Sequence, residues 1–161
     1  MSLLTNTFSS NPRQEVAWEE ILEQTMSNNL QQIVYISSAE RPFTESELNA
    51  MLGDIRSNNE ALGITGMLLY KDGDFIQAIE GDEHIVSSLF EKICSDHRHY
   101  GIVEMMRKPL DERQFKDWSM GFHKLSDNDP RLNGFNRFFD DDPSTEINPG
   151  DALNLLLVFR E

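Results

Sequence analysis

Gly63-Ile-Thr-Gly-Met-Leu-Leu-Tyr-Lys-Asp-Gly-Asp-Phe-Ile-Gln-Ala-Ile-Glu-Gly81 contains two apolar runs, Gly63 to Tyr70 and Phe75 to Glu80, joined through Asp72-Gly73. Asp-Gly is the pair that best tolerates the positive φ angles of a tight hairpin turn, so the runs pair antiparallel. Upstream, Gln31 to Ser37 is a further strand. Thr44, with Glu47 three residues later, forms a capping box that opens a helix with Leu48, Met51, Leu52 and Ile55 on one face. Asn58 and Asn59 follow that helix. Downstream, Asp82 caps a second helix carrying Ile85, Val86, Leu89, Phe90 and Ile93, which ends near Arg98-His-Tyr-Gly101. Ile102 to Arg107 is the next strand and Trp118 to Leu125 a fifth, after a solvated turn at Asp111 and Glu112.

The order is β-α-β-β-α-β plus one strand, which makes an α/β (α+β) ferredoxin-like sheet with both helices on one face. Val34, Ile36, Ile76 and Ala78 alternate with the helix-side residues and are also apolar, so the other face needs a cover. Leu132 to Phe139 and Ala152 to Phe159 are helical stretches that supply it, alone or with a second subunit; Asn148 and Pro149 stand in cap and first-turn positions of the latter. The chain divides into an N-terminal extension with a short helix (1–29), a central domain (30–125) and a C-terminal helical cap (126–161).

The 161 residues suffice for one core and leave no room for a separate effector domain of ordinary size. Asp and Glu number 28 against 14 Lys and Arg, a formal net charge of -14, so phosphate backbones and anionic membrane surfaces are repelled. No apolar run can span a bilayer or begin a secretory leader, so the expected location is the cytoplasm. Cys94 is the only cysteine, which rules out an internal disulfide, and its place in an apolar-periodic helix makes it a core filler. His97 and His99 lack a third ligand and Asp140-Asp-Asp-Pro143 is a solvated linker, so no metal site is expected.

Two residues stand out as polar where a core strand should be apolar. Ile33, Tyr35 and Ser37 share one strand face, as do Phe75, Gln77 and Ile79, so Tyr35 and Gln77 meet beneath the helices. A buried amide left unpaired costs about 1–3 kcal/mol, so Gln77 implies a polar partner. The Tyr35 hydroxyl is one candidate, in a purely structural hydrogen bond. A bound ligand whose edge offers both donors and acceptors is another.

Tyr35, Asn59, Gln77 and Trp118-Ser-Met120, in this order and register over about Leu30 to Leu125, resemble the BLUF family of blue-light sensors that bind a flavin. The resemblance implies that Tyr35 gives an electron and then a proton to the light-excited flavin and that Gln77 is the hydrogen-bond switch beside it. It further implies that Asn59 holds the flavin imide edge with Asn58 at the other carbonyl, and that Arg98 and His99 lie near the ring and its side chain. Trp118 and Met120, read as sharing one face of the last strand, are implied to transmit the change of Gln77, with Trp118 a possible competing electron donor. The ring is expected between the helices, packed by Leu48, Ile55, Phe90 and Ile93.

The implied cofactor is FAD, with FMN or riboflavin as alternatives, and the implied function is a photocycle without net catalysis. The signal would leave through protein contacts, to an unknown downstream protein or through a homo-oligomer. Two rival readings are a flavin-dependent oxidoreductase and a ligand-free interaction module. The absence of a Gly-rich dinucleotide fingerprint weighs against the first.

Overall fold

The structure, a computed structural model, describes residues 29–132 and 149–160. Its elements are β1 (Leu30–Ala39), α1 (Glu45–Leu62), β2 (Thr65–Lys71), β3 (Asp74–Asp82), α2 (Glu83–Cys94), β4 (His99–Leu110), β5 (Gly121–Lys124), a 3-10 turn (Pro130–Leu132) and α3 (Pro149–Val158). The expected N-terminal helix, and the stretch expected to be helical from Leu132 to Phe139 apart from Leu132 itself, lie outside the described residues.

The strands form one five-stranded sheet in the order β4-β1-β3-β2-β5, with β5 parallel to β2 and the other pairs antiparallel. The hairpin is tight where Asp72-Gly73 predicts it, with φ of 50° at Asp72 and 97° at Gly73. Register follows from that turn and from alternation. In the β1–β3 pair, Ile33 faces Ile79, Tyr35 faces Gln77 and Ser37 faces Phe75 on one side of the sheet. Val34 faces Ala78 and Ile36 faces Ile76 on the other.

Each side has its own core. On one side, Ile33, Leu68, Tyr70 and Ile79 of the sheet pack with Leu48 and Leu52 of α1 and with Val86 and Phe90 of α2. On the other, Val34, Met67, Leu69, Ile76 and Ala78 pack with Ala152, Leu155 and Leu156 of α3 and with Phe159. α3 is apolar around most of its circumference because it lies against the sheet and the 3-10 turn together. Each buried Leu there contributes about 1.5–3 kcal/mol by leaving water.

β1 and β4 run longer than expected, and three further boundaries that bear on the site differ from the sequence reading. Helix α1 contains Asn58 and Asn59 and ends at Gly63, whose left-handed backbone (φ 64°) turns its N–H back to the Asn59 and Glu60 carbonyls. The glycine stops the helix where the asparagines were expected to, since only Gly adopts this conformation without strain. Helix α2 ends at Cys94 rather than near Arg98, and Cys94 is exposed rather than a core filler: it follows the buried Phe90 by one turn on the same face, but at the last helical position. β5 starts at Gly121, so Trp118 and Met120 both precede it, with Met120 in a bend at 119–120.

Candidate functional site

Between α1, α2 and the sheet lies a cavity of about 280 Å³. Tyr35, Leu68, Phe75, Gln77 and Ile79 line it from the sheet, Met51, Ile55, Asn58 and Asn59 from α1, and Leu89, Lys92 and Ile93 from α2. Ser37, Phe43, Asp96, Arg98 and His99 complete the lining. The capping box of Thr44 and Glu47 fixes where α1 begins, and Asp82, accepting from His84 and Ile85 N–H, does the same for α2. The two walls are thus set by local sequence at each helix start.

Tyr35 and Gln77 are 4% and 5% exposed. The Tyr35 hydroxyl donates to Gln77 Oε1, and Gln77 Nε2 donates to Met120 Sδ at 3.4 Å. Burial pushes the Tyr35 phenol well above the ordinary tyrosine range, and Cys94 and Asp96 act in the same direction. A thioether is a weak acceptor, so the Gln77 amide is the loosely held member of this chain of contacts.

Asn59 is buried in the last turn of α1 and donates from Nδ2 to the Ser119 carbonyl at 2.8 Å. Three residues earlier, Arg56 donates from Nε to the Met120 carbonyl at 2.9 Å. The spacing puts both side chains on one face of α1. Asn58 is exposed but still lines the cavity.

His99 places Nε2 2.6 Å from the Ile93 carbonyl and Nδ1 3.0 Å from Ser37 Oγ. The carbonyl can only accept, so Nε2 carries a proton. Arg98 pairs with both oxygens of Asp96, and this guanidinium holds the Asp96 carboxyl down at about 2. Among the described residues no group of three or more His, Cys, Asp or Glu could hold a metal ion.

The lining suits a flat, mostly apolar ring with one polar edge. Phe43, Met51, Ile55, Leu89 and Ile93 present apolar surface, while Asn59 and Gln77 bring amides that both donate and accept. The volume is near the lower end of small-ligand pockets, about 300–1,000 Å³. The family of "Sensors of blue-light using FAD", abbreviated BLUF, matches residues 30–121.

This chain belongs to the BLUF family. BLUF proteins bind a flavin, FAD, as the family's description states, and sense blue light with it. Among curated relatives, the photoactivated adenylate cyclase subunit beta of Euglena longa is 35% identical over 97 residues, 60% of this chain and 11% of the relative. The chain spans about a tenth of the length of the curated relatives it matches. Among solved structures, the dark state of the BLUF protein BlrB superposes with a TM-score of 0.69 at 27% identity, covering 84% of this chain and 98% of BlrB. Klebsiella pneumoniae BlrP1 with FMN and cyclic diGMP gives 0.57 at 36% identity, covering 68% of this chain and 30% of BlrP1.

Within this BLUF domain, the structure brings Tyr35, Asn58, Asn59, Gln77, Arg98 and His99 to one cavity. It separates Trp118 from Met120. Met120 is in the core under the helices, against Gln77, whereas Trp118 packs with the core on the α3 side. The two were expected on one strand face, but the chain bends at 119–120 and strand alternation does not apply there. Of the side chains expected to pack the ring, Ile55 and Ile93 line the cavity, while Leu48 and Phe90 do not. They lie deeper in the core, and Met51 and Leu89, one helical turn or less away, take their place.

Sequence reading missed Arg56 and a buried cluster around Glu80. Glu80 is 0% exposed, and its carboxylate accepts from Phe115 N–H at 2.7 Å, Thr65 Oγ1 at 3.0 Å, Gln114 N–H at 3.1 Å and Gln32 Nε2 at 3.3 Å. The available signal was a Glu inside an otherwise apolar strand run.

Proposed function

We propose that Tyr35 and Gln77 are the photochemical pair of this BLUF domain, with Asn59 holding the polar edge of the flavin and Met120 sensing the state of Gln77. Asn58, Arg98 and His99 complete the binding site in this reading. A bound flavin supplies blue-light absorption and an excited state that withdraws an electron from a nearby donor. Tyr35 is that donor. Its buried phenol keeps its proton in the dark, becomes strongly acidic once an electron leaves, and releases the proton along its hydrogen bond to Gln77. The amide of Gln77 then reorients, since its second contact is only the thioether of Met120. Electron and proton return to Tyr35, and the rearranged amide is what outlasts the light.

The single observation that carries this reading is the Tyr35–Gln77–Met120 chain of contacts along the cavity wall. We further infer that the chain catalyses no reaction, works in the cytoplasm, and signals through contacts with a partner protein or a second copy of itself. The acidic balance of 28 to 14 supports a protein rather than a nucleic acid or membrane partner. No helix among the described residues is long and apolar enough to cross a membrane.

The test is an absorption spectrum before and after blue light. Wild-type protein should shift reversibly to the red, and Gln77→Ala should retain flavin without the shift. A normal reversible shift in Gln77→Ala would remove Gln77 from the switch.

A further inference from the structure

Glu80 stands on β3 three residues beyond Gln77, so the two side chains point to opposite faces of the sheet. It forms a row with Gln32 of β1 and Thr65 of β2, its direct cross-strand partners. From that row the carboxylate reaches the loop leading to β5 and takes the successive N–H groups of Gln114 and Phe115. Gln32 Nε2 also donates to Gln114 Oε1 at 2.8 Å. Arg113 Nη1 reaches Thr65 Oγ1 at 2.9 Å and the Glu80 main-chain carbonyl at 3.2 Å.

The chain then crosses to the cavity side. Trp118 N–H donates to the Phe115 carbonyl, Gly66 N–H donates to the Trp118 carbonyl, and Ser119 and Met120 receive Asn59 and Arg56. Segment 113–120 is therefore held at one end by Glu80 and at the other by α1, with Met120 set against Gln77 where the two meet. A buried carboxylate is costly to desolvate, and a well-packed apolar residue often serves stability as well. Four donors converging on one carboxylate fix a position more closely than apolar contacts do.

We propose that Glu80 is a positioning residue of the photocycle: by anchoring residues 113–115 it sets where the Met120 sulfur stands against Gln77. The inference rests on Gln77 being the switch. Gly66 adds a geometric requirement, since a Cβ there would lie 2.1 Å from the Ala78 carbonyl oxygen and 3.2 Å from Met120 Cε. β2, β3 and the Met120 segment thus touch with no slack, so a shift at 113–115 reaches Met120.

Glu80→Gln keeps the size of the side chain but replaces one acceptor oxygen with an NH2 group that faces N–H donors, leaving one loop amide without its partner. The experiment compares dark recovery of the lit-state absorption in wild type, Glu80→Gln, Met120→Leu and the double variant. Glu80→Gln should change the recovery rate at least about threefold, and the change should vanish in the Met120→Leu background, as expected of coupled residues. Amide exchange should rise in peptides covering 113–120 and not in those covering α2, residues 83–94.

Equal rate changes in both backgrounds, no rate change in wild type, or exchange rising uniformly would each overturn the proposal. If Glu80→Gln does not fold, Thr65→Val removes one donor to the same carboxylate and is judged by the same cycle. If Met120→Leu does not cycle, the exchange comparison decides. A wild-type protein without a red shift, or a Gln77→Ala variant that keeps it, would instead defeat the reading of the switch on which this rests.

Discussion

Tyr35 and Gln77 are direct register partners across β1 and β3, and the phenol donates to the amide oxygen although 42 residues separate them in the chain. The hairpin at Asp72-Gly73 places them so. It fixes which β3 residues point beneath the helices, and a slip of one residue would send Gln77 to the α3 side and Ala78 into the cavity. The same register puts Ser37 beside Phe75, from where its hydroxyl meets His99 at the cavity rim.

Tyr35→Phe should bind flavin nearly as well as wild type and lose the photocycle. The ring still packs on Phe90, at a centroid distance of 5.4 Å in the parent, while the electron and proton source is removed. Gln77 Oε1 loses its donor, at a cost of about 1–3 kcal/mol in stability. Flavin content after purification and the light-minus-dark spectrum measure the two effects separately. A surviving red shift would mean that another residue donates.

Stability at high pH carries an independent signature of the same phenol. Burial raises the Tyr35 pKa above its unfolded value, so the folded protein keeps a proton that the unfolded chain releases above about pH 10. The contribution is complete below pH 10 and declines as pH rises, by about 1.4 kcal/mol per pH unit. Urea unfolding between pH 9 and 11 should show a steeper loss in wild type than in Tyr35→Phe, by about one proton. Parallel slopes would place the phenol in contact with solvent.

The fold was legible because its signals are local. Asp72-Gly73, the Thr44–Glu47 box and the Asp82 cap each act within a few residues, and alternation did the rest. The polar pair on the inner strands was legible because a Tyr and a Gln there break the apolar pattern. What escaped depends on partners distant in sequence. Asn59 stays helical because Gly63 ends the helix and its amide reaches Ser119. Glu80 is satisfied by the backbone of Gln114 and Phe115, and a backbone N–H leaves no mark in a sequence. Trp118 and Met120 mimic a strand, and only the bend at 119–120 separates them.

That separation predicts different behaviour for the two residues. Met120→Leu removes the sulfur facing Gln77 and should change the dark recovery rate while keeping bulk in the core. Trp118→Phe should leave the recovery rate and the shift close to wild type, because Trp118 packs on the other side of the sheet. Flash photolysis of both variants is the measurement. A large kinetic effect of Trp118→Phe with none for Met120→Leu would reverse the assignment.

Output should pass through β5. This strand begins one residue after Met120, pairs parallel with β2, and carries His123, whose Nε2 lies 3.1 Å from the Phe159 carbonyl just beyond the end of α3. The His123 and Phe159 rings also pack, at 5.2 Å between centroids, and the Arg131 guanidinium lies over the Phe159 ring at 4.1 Å from its centroid. A displaced Met120 therefore pulls on the strand that latches α3 over the apolar residues Val34, Ile76 and Ala78. Illumination should change self-assembly or partner affinity by about 5- to 150-fold, the range of an ordinary allosteric coupling of about 1–3 kcal/mol. Light-scattering chromatography in the dark and under blue light reads this directly. His123→Leu should keep the red shift, since His123 does not line the cavity, and lose most of the light-dependent change in assembly. Unaltered light-dependent assembly in His123→Leu would show that the signal leaves by another route.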